Sequence, residues 1–403
     1  MKKVIFARAL FFDRSIIVVM LFFVAVFVPS CGEQTPTSSK THDKQHVSID
    51  YFGGNTTAKI HETEYTLIED YIKWVPVLYQ ERNFSAIEQH ISSLLRDNNE
   101  AKAYDLYIQY YYLANITHDK HIDLMQGVLD EWCSKHPESH IPWLVRGKFY
   151  IEYAWNIRGS GWAKSVQKEK WPKFHAMLEL AKKDLEKSWE LNPDDPNSSC
   201  YLLIVAKGLS YPKGVMEQYY KNGISVCPWH YGLCYQKLSY LKPKWHGSSE
   251  EMFSFAQECL NASKQYPYLG LIMVSAFTED HFFISERKDI LGKATVWPII
   301  EDIYSAFFSK YPDKLRRRFF YAYHAYAAKK YDIALSQFEI IGNRWIEFSC
   351  WSSLKKYNDC REYTYTKQGQ ISIGKSRRMR SELIISNQQF TTIRVLMPIT
   401  GLV

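Results

Sequence analysis

Arg158, Gly159, Gly161, Trp162, Lys164, Trp171 and His175 fall within one short stretch of this chain. Arginine and tryptophan combine large contact area with directional bonding, so the grouping suits recognition. The glycines let the backbone turn tightly and come close to a partner. No Lys-Ser or Lys-Thr follows them at the spacing of a phosphate loop. The plainer alternative folds the stretch onto its scaffold, with Trp155, Trp162 and Trp171 as core and Arg158 paired to a carboxylate. A second group, Lys242-Pro243-Lys244-Trp245-His246-Gly247, is basic and aromatic and fit to grip an acidic or sugar-like ligand. Its plainer alternative is a rigid turn, with Trp245 wedged between helices and Ser248 capping the next one. His175 and His281 have acids nearby in sequence, Glu179 and Asp280, but no nucleophile elbow accompanies either. The binding candidates are Arg158, Trp162, Trp171, His175, Lys244 and Trp245. No residue is assigned to catalysis and no cofactor is implied.

The other metal- and redox-capable residues point the same way. Beyond Cys31 the chain holds Cys133, Cys200, Cys227, Cys234, Cys259, Cys350 and Cys360, an odd set that cannot all pair internally. Most sit in apolar helical windows and read as buried free thiols. Cys227 and Cys234, around Pro228 and His230, are the one pair a helix-start loop brings together. A zinc site with His230 or His246 lacks its remaining ligands, because no second CxxC or HxxxH is present.

The positioning elements are helices. Ala181, Leu185, Ser188 and Pro193 give a small residue, a large apolar one four later, a small one three later and a closing proline, the second-helix half of a tetratricopeptide unit. Tyr331, Ala334, Phe338 and Ile341 repeat the outline, and Phe84, Ile87, Ile91 and Leu94 do so more loosely. A helix pair of this kind cannot bury its apolar face alone, so pairs must stack. From Thr63 to Cys360 one helical window follows another, the clearest running from Trp171 to Leu191. Between Ile157 and Trp171 an ordinary repeat turn is replaced by a longer insertion, a place where function often sits. Ser249–Gln265 begins after Ser248, a cap with Glu250 and Glu251 in the first turn. Trp345–Tyr357 is expected to close the array. From Arg361 the pattern changes: Glu362 to Thr366 alternates as a strand does, so residues 361–403 are expected to be a non-helical or disordered tail.

The N-terminus reads as an export signal. Lys2, Lys3, Arg8 and Arg14 precede an apolar run from Ile16 to Val28, and Ser30 precedes Cys31. This is similar to a bacterial lipobox, in which the cysteine is lipidated and becomes the new N-terminus, although Pro29 is unusual there. Asp13 and Arg14 interrupt the longer apolar stretch that a bitopic anchor would need. Gly32, not Asp, follows Cys31, which favours outer-membrane sorting over inner-membrane retention. Residues 31–62 are polar and read as a flexible tether. Net charge is +7, too mild to argue for nucleic acid, and +3 of it lies in the signal. The one basic cluster of the repeats, Lys314 with Arg316, Arg317 and Arg318, sits at a helix start, unfavourable for cations, and reads as a solvated face.

The segments Trp132–Pro137, Ala154 to Gly159, Leu241 to Ser248 with Phe255-Ala256, and Phe338 to Trp345 resemble an uncharacterised bacterial domain-of-unknown-function family with tetratricopeptide-like helical repeats. The resemblance, from about Trp132 to Trp351, implies the fold and brings no activity with it.

The sequence therefore predicts an all-α, tetratricopeptide-like α-solenoid of stacked helix pairs over 63–360, after a lipoprotein signal peptide (1–30) and a tether (31–62). The expected function is a membrane-anchored lipoprotein of the bacterial envelope whose array binds a protein or peptide partner as an adaptor. The alternative is a small-molecule or glycan-binding envelope protein, a hydrolase included, with a pocket under the 158–171 insertion.

Overall fold

The computed structural model describes residues 71–367 except 72, 98, 116–120, 284–289, 343–350 and 352–355. The signal, Cys31, the tether, Cys350 and the stretch after 367 lie outside the described residues, as do the side chains of Asp280 and His281. Every regular element among the described residues is helical. They are α1 (Trp74–Tyr79), α2 (Phe84–Arg96), α3 (Glu100–Ala114), α4 (Ile122–Lys135), α5 (His140–Arg158), α6 (Lys170–Leu191) and α7 (Pro196–Gly208). There follow α8 (Lys213–Val226), α9 (Tyr231–Tyr240), α10 (Ser249–Ala262), α11 (Pro267–Phe283), α12 (Trp297–Lys310), α13 (Leu315–Ala327) and α14 (Tyr331–Ile341). The tightest packing joins α5 to α6, then α10 to α11, α13 to α14 and α7 to α8. The chain is thus a solenoid of stacked adjacent helix pairs.

The repeat spacing marks the buried faces. Ala181, Leu185 and Ser188 are fully buried on α6, as are Ala334, Phe338 and Ile341 on α14 and Ile87 and Ile91 on α2. Gly147 explains how closely α5 approaches α6. A Cβ there would stand 2.7 Å from Leu185 Cγ and 3.2 Å from the Ala181 carbonyl oxygen. Past α6, Asp195 caps α7 by accepting from the Asn197 N–H at 2.9 Å, with Pro196 in the first turn. Tyr110 donates to its other oxygen at 2.7 Å, and His140 Nε2 stands 3.3 Å from that oxygen. Burial alone would raise the Asp195 carboxyl, but His140, the Asn197 amide and Tyr110 together hold it below the usual carboxylate value.

One feature departs from an open solenoid, in which each repeat meets only its neighbours. Helix α3 contacts elements far along the chain. Glu100 accepts from the Tyr268 N–H at 2.5 Å and the Tyr311 hydroxyl at 2.7 Å. Asp105 accepts from the Tyr71 hydroxyl at 2.8 Å and Lys314 Nζ at 3.2 Å. The Tyr107 ring lies so near α9 that a Cβ on Gly232 would be 2.6 Å from it. The array closes on its own third helix.

Of the local expectations, the one for the C-terminal end of the array changes. Cys227 and Cys234 are not joined: the six described cysteines are all free and buried. His230 is committed elsewhere, with Nδ1 accepting from the Leu233 N–H at 2.9 Å and Nε2 3.2 Å from Asn197 Oδ1. Among the described residues no group of His, Cys, Asp and Glu is arranged to hold a metal. The alternation at 362–366 lies within a helix over 356–367, so the helical array extends past Cys360 to 367. Tyr357, Cys360 and Thr364 are its buried stripe. The Thr364 hydroxyl donates to the Cys360 carbonyl at 2.8 Å, satisfying inside a helix a residue type that also favours strands.

Candidate functional site

The insertion begins where α5 must stop. Gly159 has φ 73° and ψ 179°, a conformation essentially reserved for glycine, and its N–H caps the helix by donating to the Trp155 carbonyl at 2.9 Å. The loop then makes a short turn at Ala163–Ser165, where the Ser165 hydroxyl donates to the Trp162 carbonyl at 2.8 Å. Gly161 is needed there for space, since a Cβ would meet the Ser165 hydroxyl at 2.6 Å.

Arg158 ties this loop down. Its Nη1 donates to the carbonyls of Gly159 at 3.0 Å and Gly161 at 3.1 Å. Its guanidinium carbon lies 5.3 Å from the Trp155 ring centre, 5.5 Å from Trp171 and 5.7 Å from Trp245. The side chain is buried, which lowers its pKa by desolvation. Carbonyls and tryptophan faces serve it where the sequence suggested a carboxylate. Such an aromatic cage is the arrangement that captures a ligand cation; this one is filled by the chain's own arginine.

The cage unites the two stretches singled out in the sequence. Trp245 meets Trp155 edge-to-face at 5.6 Å, and Lys207 Nζ lies over both rings at 5.3 and 5.5 Å. His246 Nε2 donates to the Lys207 carbonyl at 2.9 Å, pinning the 242–247 turn to α7. Gly247 has no alternative here, because a Cβ would come 2.3 Å from the Leu241 carbonyl oxygen. Ser248 accepts from the Glu251 N–H at 3.2 Å as the expected cap. Lys242 is buried against Glu279 Oε1 at 2.6 Å, so it presents no charge to a ligand. Lys244 is half-buried beside it.

The six candidates therefore divide. Arg158, Trp171 and Trp245 face one another and hold the loops together. Trp162 stands outside the cage with 47% of its surface exposed, at the crest of the insertion. His175 is exposed on α6, its ring 5.8 Å from Trp171 and 5.4 Å from Phe174. Arg158 and His175 do not converge: one is buried inward and the other faces solvent. Trp155 and Lys207 complete the cage and were not among the candidates. Trp155 precedes Arg158 by three residues, one helical turn, and that spacing is the signal that places it beneath the guanidinium.

No curated protein matches the chain. Residues 71–217 match the family described as a domain of unknown function, DUF4034. The match starts earlier than the resemblance read from the sequence and ends before Leu241, so it takes in the insertion and the Trp155–Arg158 pair but not the 242–247 turn. Over α1 to the first residues of α8, this chain is similar to that domain-of-unknown-function family.

Proposed function

We propose that the protein is a lipid-anchored adaptor of the bacterial envelope, held to the membrane through Cys31, whose repeat array presents the 158–171 insertion to a protein or peptide partner. The observation that supports this is the contrast between Trp162 and its neighbours. A large ring is left exposed at the crest of a loop whose base is fixed by Arg158 and three tryptophans, and a preformed aromatic anchor loses little entropy on binding. The interior of the array is occupied by α3 and its tyrosines, which favours the loop edge over an inner groove as the binding face. The alternative of a small-molecule or glycan pocket under the insertion draws less support, because Arg158 fills the cage and His175 lies exposed on the Trp171 ring. No described helix is long and apolar enough to cross a membrane; attachment in this reading is through the lipid on Cys31.

The experiment is in-cell crosslinking of the full-length protein followed by identification of what co-purifies. A stoichiometric partner lost in Trp162→Ala, with folding unchanged, supports the adaptor reading. A partner retained equally by Trp162→Ala removes the insertion from it. Cys31→Ser, released from the membrane fraction, checks the anchor.

A further inference from the structure

A separate cavity of about 30 Å³ lies where the array closes on α3, lined by Tyr104 and Asp105 of α3, Tyr268 of α11, and Lys314, Arg316 and Arg317 at the start of α13. Its size admits about two water-sized atoms. Among the described lining residues, Lys314 and Arg317 stand beside the carboxylate of Asp105, which is already engaged by Lys314 and Tyr71. The cations sit at the start of a thirteen-residue helix, whose N-terminal end carries partial positive charge of its own. The cluster is not the solvated face expected from sequence, because Arg317 is only 7% exposed.

Arg317 carries the argument. Its guanidinium carbon is 4.6 Å from the Tyr231 ring centre and 4.8 Å from Tyr104. Yet its Nε and Nη2 have no hydrogen-bond partner among the described residues, and neither has the buried Tyr268 hydroxyl. Buried guanidinium N–H groups are costly to leave unbonded. Nε and Nη2 form the edge of a guanidinium that matches the two oxygens of a carboxylate. Arg146 demonstrates this use within the same molecule: its Nε and Nη2 hold the two oxygens of Asp184 at 2.7 and 2.9 Å. Among the described residues, the acids of this region are spent, Glu100 on Tyr268 and Tyr311, Asp105 on Tyr71 and Lys314.

We propose that this cavity binds a single carboxylate, gripped through both oxygens by Arg317 with the Tyr268 hydroxyl as a further donor. The carboxylate comes either from a free small acid or from an acidic side chain of a peptide.

The test is the melting temperature of the full chain against sodium acetate, with ionic strength held constant by chloride, and in parallel against the capped peptide acetyl-Gly-Glu-Gly-amide. Wild type is expected to show a saturable rise in Tm with at least one probe that chloride does not reproduce. A response to acetate identifies the free acid as sufficient; a response to the peptide alone identifies a carboxylate carried on a chain. In Arg317→Met the response disappears, while the probe-free Tm is at or above that of wild type, because a buried cation with unbonded N–H groups has been removed. Tyr268→Phe weakens the apparent affinity about tenfold and serves if Arg317→Met does not fold. The proposal is overturned if neither probe shifts wild type and Arg317→Met melts lower, which makes Arg317 a packing cation. It is equally overturned if a response appears only in Glu69→Gln/Asp70→Asn, acids that directly precede Tyr71, since the chain then supplies its own carboxylate.

Discussion

Arg146 lies within the family-matched half of the array and Arg317 beyond it, and the two are used in opposite ways. Arg146 meets Asp184 through both oxygens and Asp130 at 2.9 Å, so its charge and its N–H groups are answered by residues of the chain. Arg317 is buried among tyrosine rings that answer its charge in part, while among the described residues its Nε and Nη2 groups have no hydrogen-bond partner. Arg158 is intermediate, with carbonyls and tryptophan faces in place of a carboxylate. A buried guanidinium with its carboxylate is structure. One with rings alone leaves its directional donors open among the described residues, and that difference separates scaffold from candidate site.

The comparison breaks most sharply if Arg146 is put in the position of Arg317. Asp184→Ala leaves a buried guanidinium short of its main partner, and removing one member of a buried pair costs about 3–5 kcal/mol. The low end is expected, because Asp130 remains. Urea denaturation measures it. A loss below about 1 kcal/mol would mean that α5 and α6 tolerate an unanswered arginine, and the argument from Arg317 would weaken with it.

The surroundings of Arg317 sharpen the same contrast through pH. His324 lies 3.0 Å from the Tyr304 hydroxyl through Nδ1, and burial, reinforced by the Arg317 charge, pushes its pKa down to about 4. The unfolded chain protonates it near 6.5, so between these values the unfolded state binds the extra proton. Its contribution to stability is complete above about pH 6.5 and is lost as pH falls toward 4. Between pH 7 and 5 the loss from this one group is about 2 kcal/mol. His324→Phe should flatten the stability curve by that amount across the window. Ring-proton titration should show His324 rising in Arg317→Met yet staying below 6.5, because burial is the larger cause. A shift to the full unfolded value would mean that the Arg317 charge dominates this corner.

How much of this was legible follows from what spacing encodes. Ala181, Leu185 and Ser188 report a buried face because helical periodicity is local, and Gly159 with its neighbours reports an insertion because loop length is countable. The closure of α3 against α11–α13 joins residues as far apart as Glu100 and Tyr311, and no local pattern carries that distance. Hence Lys314 and Arg316–Arg318 read as solvent-facing charge until α3 is placed beside them, although cations crowded at a helix start without acids were already an anomaly. Thr364 and Thr366 illustrate the opposite error. Alternating β-branched residues suggest a strand, but their hydroxyls bond back to the Cys360 and Glu362 carbonyls and the stretch is helical.

The smallest effect concerns the intermediate arginine. Gly159→Ala places a side chain at φ 73° and ψ 179°, where strain costs about 1–2 kcal/mol, although no atom lies within 4 Å of the new Cβ. The carbonyls of Gly159 and Gly161 are the two acceptors of Arg158, so relaxing that strain moves them away from the guanidinium. Arg158 would then approach the condition of Arg317, held by rings with its donors unanswered. Thermal denaturation reads the modest stability loss, and crosslinking reads the consequence for Trp162, whose ring is intact but whose loop is no longer fixed. Partner capture that falls in Gly159→Ala as it does in Trp162→Ala would show that the fixed base matters as much as the exposed ring. Capture that is unchanged would show that Trp162 needs no preformed loop, and the cage around Arg158 would then be packing alone.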